Sequence, residues 1–134
     1  MAIQILEHTA DLRMKISASC KEELFSEAVA ALMGQLKGSG PNMVPVLRKV
    51  TLSSVDQTSL LIDFLNELHG MGQVNREVYM VKKISRLTDT EVDAVVEGRP
   101  VDSFGNSVKS VTYHEAEMKR NDRNQWEVTI VLDV

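Results

Sequence analysis

The chain has 134 residues, a hydrophobic fraction of 43%, a charged fraction of 25% and a formal net charge of −4. That length supports one domain with its own core, expected to span 1–134, and the acidic balance argues against broad phosphate-backbone contact with nucleic acid. Aromatics at 4% leave few platforms for base stacking, and a single cysteine, Cys20, excludes an internal disulfide or a CxxC pair and fits a reducing compartment.

Met1 to Glu7 lacks the basic start and apolar run of a signal peptide, and no segment is apolar for long enough to span a bilayer. The expectation is a soluble, cytoplasmic protein. Ile3 to Leu6 reads as a short strand, interrupted at Glu7 to Asp11. Leu12, Met14, Ile16 and Ala18 then alternate with Arg13, Lys15 and Ser17, the pattern of a half-buried strand. Ser19 with Glu22 reads as a capping box opening a helix, whose buried stripe is Leu24, Phe25, Ala28, Ala31, Leu32 and Leu36 and whose stop is Gly38. Gly38 to Asn42 reads as a loop.

Val46 to Leu52 is strand-like. Asp56 is placed to cap a second helix, with Val55 and Leu60 as a hydrophobic staple. Its stripe is Leu60, Leu61, Phe64, Leu65 and Leu68, with Asp63, Asn66, Glu67 and His69 off it, and Gly70 and Gly72 end it near Gln73. Strands follow at Val78 to Ile84 and Thr90 to Val96. Lys82, Lys83 and Arg86 form the one local basic group, read as a solvated strand edge that discourages aggregation. Gly98 to Asn106 reads as a loop and Val108 to Lys119 as one long strand. Asn121 to Asn124 reads as a turn, and Trp126, Val128, Ile130 and Leu132 as the core face of a last strand. The order β-β-α-β-α-β-β-β-β predicts an α+β fold, two helices on mostly antiparallel sheet.

Asp133 is odd where the core residues of the last strand are even, so it faces away from the core, and Val134 as the last residue adds an α-carboxylate. If the fold brings Asp11 to them, three carboxylates converge, an arrangement that favours a shared proton or a cation. Singly, Asp11 reads as an Asx-turn residue, and His8 and His114 as hydrogen-bonded structural histidines, His114 on a partly buried strand face with Thr112, Ala116 and Met118. There is no GxSxG, no Cys–His pair in context and no phosphate loop.

Five segments in order resemble the archease family: Glu7-His8-Thr9-Ala10-Asp11, Glu22-Glu23-Leu24-Phe25 with Ala28, Phe64-Leu65-Asn66-Glu67-Leu68, Val108 to His114, and the terminal Leu132-Asp133-Val134. The resemblance implies a small α+β protein that assists an RtcB-type RNA ligase by speeding guanylylation of the ligase histidine in tRNA splicing or RNA repair. It implies no enzyme activity of its own and contact with RNA only through the ligase. It implies a divalent-metal site at Asp11, Asp133 and the carboxylate of Val134, for Ca²⁺ foremost or for Mg²⁺ or Mn²⁺. The chain departs from the family in having no histidine between Val101 and Ser107, Ser110 where alanine is usual, and Gly70-Met71-Gly72 at the second helix end. Two other readings are a chaperone-like protein-binding module and a small metal-dependent phosphohydrolase built on Asp11, Asp133 and His114.

Overall fold

The computed structural model describes residues 11–134; the strand expected at Ile3 to Leu6 and the candidate His8 lie outside the described residues. The elements are β1 (Asp11–Ala18), α1 (Lys21–Leu36), β2 (Gly38–Ser39), β3 (Val46–Ser53), α2 (Gln57–Asn75), β4 (Glu77–Leu87), β5 (Glu91–Pro100), β6 (Ser103–Phe104), β7 (Ser110–Thr112), β8 (Lys119–Arg120) and β9 (Trp126–Asp133). One sheet runs β1-β9-β7, with β8 also on β9. A second runs β3-β5-β4, and β2 and β6 form a two-stranded ribbon. Every described pairing is antiparallel, so the fold is α+β as the element order implied.

Both helices lie between the two larger sheets. α1 touches β1 and β9 on one side and β4 on the other; α2 touches β7 on one side and β3, β4 and β5 on the other. A helix covered from two sides needs a wider apolar arc than a surface helix. α1 accordingly buries Val29 and Met33 as well as Leu24, Phe25, Ala28, Leu32 and Leu36. Phe25 and Phe64 meet at a 5.7 Å centroid separation and a tilted 44°, a favourable aromatic geometry that ties the helices together.

Several local expectations are corrected. The capping box does not form: Cys20 is the N-cap of α1 without a side-chain bond, and Ser19 Oγ donates to Glu23 at 2.6 Å instead. Glu22 and Glu23 still sit in the first turn, where the helix dipole favours negative charge. Asp56 does cap α2, accepting from Ser59 N–H at 2.7 Å, which holds its carboxyl below the usual range. Val55 is 83% exposed, so there is no staple. The left-handed residues that end the helices are Lys37 (φ 47°) and Arg76 (φ 54°), not glycines, and α2 runs past Gln73 to Asn75. The expected loops at 38–42 and 98–106 carry β2 and β6, which pair with each other, and β5 reaches Pro100. The long strand at 108–119 is broken between β7 and β8.

At the start of β4 a partly buried ion pair forms. Glu77 is 4% exposed and accepts two bonds from Arg48, at 2.8 and 3.0 Å, and one from Tyr79 Oη at 2.7 Å. Gly98 makes room for it: a Cβ there would meet Tyr79 Cε1 at 2.9 Å and Glu77 Oε1 at 3.0 Å. The Arg48 guanidinium holds the Glu77 carboxyl below its ordinary value, and burial pushes the Tyr79 phenol up to about 12. A depressed carboxylate contributes stability that is full above its unfolded value of 4.5 and lost as pH falls through the folded one. A raised phenol contributes stability that is full below 10 and lost as pH rises toward about 12. Urea unfolding of the wild type should therefore weaken at both ends. Glu77→Gln should flatten the acid limb below pH 4.5, and Tyr79→Phe the alkaline one; limbs unchanged by the substitutions would contradict the assignment.

Candidate functional site

β1 and β9 pair so that Asp11 stands opposite Asp133, and β7 continues the row with Ser110 opposite Asp133 on its other side. Directly opposed residues share a sheet face with Cβ atoms about 5 Å apart. The register follows from burial. Leu12, Met14 and Ile16 face Leu132, Ile130 and Val128 on the core side, and a slip of one residue would turn the slipped strand's set outward. The core alternation thus delivers both aspartates to the opposite face. Lys109 N–H donates to Asp133 O at 2.7 Å and fixes the end of β9 from the β7 side.

Beside this row lies a cavity of about 390 Å³ whose wall includes Asp11, Gln35, Asn106, Ser107, Val108 and Val134. Asp11 is exposed and Asp133 half-buried. Among the described residues neither carboxylate has a Lys, Arg or His partner within 4 Å. The nearby Arg13 is occupied by Glu115, at 2.9 Å. Two opposed carboxylates with no basic side chain between them among the described residues form a hard-oxygen donor set that suits a hard divalent cation. Among the described residues no group of three His, Cys, Asp or Glu side chains could hold a metal, so the two aspartates are the acidic side chains this row itself offers.

His114 is corrected. It lies in a turn beyond β7, its side chain 70% exposed and its Nε2 3.7 Å from Glu115, and it does not join the aspartates. The turn is closed by Ala116 N–H donating to Tyr113 O at 3.2 Å, with Glu115 left-handed at φ 61°. Tyr113 Oη donates to Asp63, a bond that raises the phenol's pKa, and Ser54 Oγ donates to the other Asp63 oxygen at 2.7 Å.

The buried histidine is His69, at 6% exposure. Its Nε2 is 2.7 Å from Val108 O, so Nε2 donates, and Nδ1 is buried without a partner. It holds the segment that forms the cavity wall. Asn66, one turn earlier, closes the free edge of β7: its Nδ2 donates to Val111 O and its Oδ1 accepts from Val111 N–H, each at 2.8 Å. Asn66 thus bonds Val111 as another strand would. The stripe pattern sets both residues off the buried face, although Leu61, Leu65 and His69 lie at spacings of four, one row of a helix. That row was the available signal. Gln35, Asn106 and Ser107 carried none, because they reach the cavity only through long-range packing.

The chain matches the Archease protein family over residues 4–134. It is 27% identical to a protein archease of Methanosarcina acetivorans, covering 98% of this chain and 94% of that one. It is 25% identical to a protein archease-like of Drosophila melanogaster, covering 100% and 91%. Two solved structures share the fold. The crystal structure of an archease, possible chaperone, from Thermotoga maritima has a TM-score of 0.73, 20% identity and coverage of 100% and 98%. The solution structure of a Methanobacterium thermoautotrophicum protein has a TM-score of 0.74, 24% identity and coverage of 96% for both chains.

Proposed function

The chain belongs to the archease family, and from that premise we propose that it is a protein activator of an RtcB-type RNA ligase. It promotes guanylylation of the ligase histidine by GTP and keeps the ligase turning over in tRNA splicing or RNA repair. It is not itself an enzyme and meets RNA through the ligase. The observation that carries the reading is the opposed pair Asp11 and Asp133, without a cationic partner among the described residues, beside a cavity that also takes Val134.

Asp11, Asp133 and the α-carboxylate of Val134 would hold a divalent ion, Ca²⁺, Mg²⁺ or Mn²⁺. When bound it supplies positive charge to the triphosphate, and phosphoryl transfer rests mainly on placement and charge neutralisation. The chain's own contribution is positional. The β1–β9 register sets the separation of the two carboxylates, Lys109 fixes the main chain at Asp133, and His69 holds the cavity wall through Val108. Asp11, exposed at the sheet end, is free to approach a partner's nucleotide site.

The test is guanylylation of a purified RtcB-type ligase by GTP with and without this protein under multiple turnover. A several-fold rise in turnover is expected; no rise with folded protein and each of the three cations would remove the reading. The phosphohydrolase alternative needs His114 grouped with Asp11 and Asp133, and among the described residues no three such side chains gather to hold a metal. Phosphodiester turnover by the protein alone would revive it.

A further inference from the structure

Among the described residues, Met43, Val44, Val46, Leu47 and Met80 are five of the nine large apolar side chains that stand exposed. Four lie in the segment 43–47, and Met80 lies across the sheet from Leu47. Leu47, Glu97 and Met80 form one row across β3, β5 and β4, and Val46, Gly98 and Tyr79 form the next. Met80 and Glu97 of the first row and Tyr79 of the second line a second cavity of about 390 Å³, with Met33, Pro45 and Val78 also in its wall and Lys37 and Arg99 beside Glu97 at its charged rim. A cavity walled by Met33, Pro45, Val78 and exposed Met80 offers an apolar contact surface, and methionines suit one that must adapt to its occupant.

The rim says what kind of occupant fits. Lys37 and Arg99 have no carboxylate within 4 Å among the described residues. They give this mouth an excess of positive charge on a chain whose net charge is −4. An apolar side chain with a carboxylate beside it satisfies both the wall and the rim. The position says which partner. The last turn of α1 forms a wall of both cavities, through Met33, Gly34 and Lys37 here and through Gln35 at the Asp11 cavity. Asn106 ties that turn to the Asp11 side, with its backbone N–H on Leu36 O at 3.2 Å and its Nδ2 on Gln35 O at 2.9 Å. The two cavities therefore flank a single helix about 10 Å across. A protein that reaches the aspartates with its nucleotide site lies within one helix width of the apolar mouth.

We propose that this cavity is the docking pocket through which the protein holds its RNA-ligase partner, seating a large apolar ligase side chain whose neighbouring carboxylate meets Lys37 and Arg99. The proposal rests on the activator reading and adds to it a division of labour: the aspartates act on the reaction, and the Met33–Met80 cavity supplies affinity.

The experiment measures the Kd of a purified RtcB-type ligase for four forms of the full chain: wild type, Met80→Asp, Gly34→Trp and Asp11→Asn. Gly34 faces the cavity mouth, and a Cβ there meets nothing within 4 Å, so an indole can fill the space without displacing the fold. Met80→Asp and Gly34→Trp should each raise Kd about 30-fold, the scale of one interface hot spot, with unchanged melting temperature and divalent-ion affinity. Asp11→Asn should keep the wild-type Kd and lose stimulation. Lys37→Glu combined with Arg99→Glu should also weaken binding, most at low salt. Wild-type Kd in both pocket variants, with stimulation intact, overturns the pocket and leaves the activator reading standing. Absence of ligase binding and stimulation by the wild type overturns both. Wild-type self-association that the pocket variants abolish in sedimentation equilibrium assigns the cavity to a second copy of the chain and also overturns the proposal.

Discussion

Asp11→Asn and Asp133→Asn should each lower divalent-ion affinity about 10- to 100-fold, the range for loss of a metal-site group, and lower ligase turnover with it. The fold should not suffer. Each substitution removes one of two like charges that the register sets opposite each other, and such pairs are destabilising in a sheet. In EDTA the melting temperature of either variant should therefore equal or exceed that of the wild type. Function down with stability level or up is the signature of a binding site, since a structural carboxylate would lose both. Titration calorimetry with Ca²⁺, Mg²⁺ and Mn²⁺ reads the first quantity and a thermal melt the second. Extending the chain beyond Val134 converts its α-carboxylate to an amide and tests the third donor independently. Full ion affinity in the double variant Asp11→Asn, Asp133→Asn would end the metal-site proposal.

Asn66→Ala should be the most destabilising single polar substitution at the support of the site. It strips Val111 N–H and O of both partners on the α2 side, 2.8 Å bonds each, while Val111 itself is 2% exposed. Orphaning two such groups costs about 2–4 kcal/mol, a drop of roughly 10 °C in melting temperature for a chain of this size. Asn66→Asp keeps an acceptor for Val111 N–H and loses only the donor to Val111 O, so its loss should be smaller. The consequence reaches the site, because β7 carries Ser110 against Asp133 and Lys109 N–H bonds Asp133 O. Amide exchange of Lys109 and Val111 should speed up in Asn66→Ala more than that of the β3-β5-β4 sheet. A melting temperature within 2 °C of wild type would show that water or a neighbour takes over both bonds.

Legibility in the sequence tracked the range of the interaction. The two helices, the alternation of β1, β5 and β9 and the Asp56 cap are short-range features, and each appears where the pattern put it. The break in 108–119 was not legible. That segment contains neither glycine nor proline, and its turn is stabilised from elsewhere, by Arg13 on Glu115 at 2.9 Å and by Tyr113 on Asp63. The helix ends misled for a related reason: nearby glycines advertised stops, yet Lys37 and Arg76 took the left-handed positions. His69 and Asn66 look like solvent-facing polar residues because their partners, Val108 and Val111, lie 39 and 45 residues away.

By itself the sequence determined the α+β class, the family and the outward direction of Asp133, since hydrophobic alternation and motif order are properties of the chain alone. Only the tertiary structure decided that Asp11 pairs with Asp133, that Asn66 and His69 brace the wall beside them, and that exposed Met80 lines one cavity with Met33, Pro45 and Val78. Strand register and cavities are set by which distant faces must be buried together, and that choice exists only once the whole core has closed.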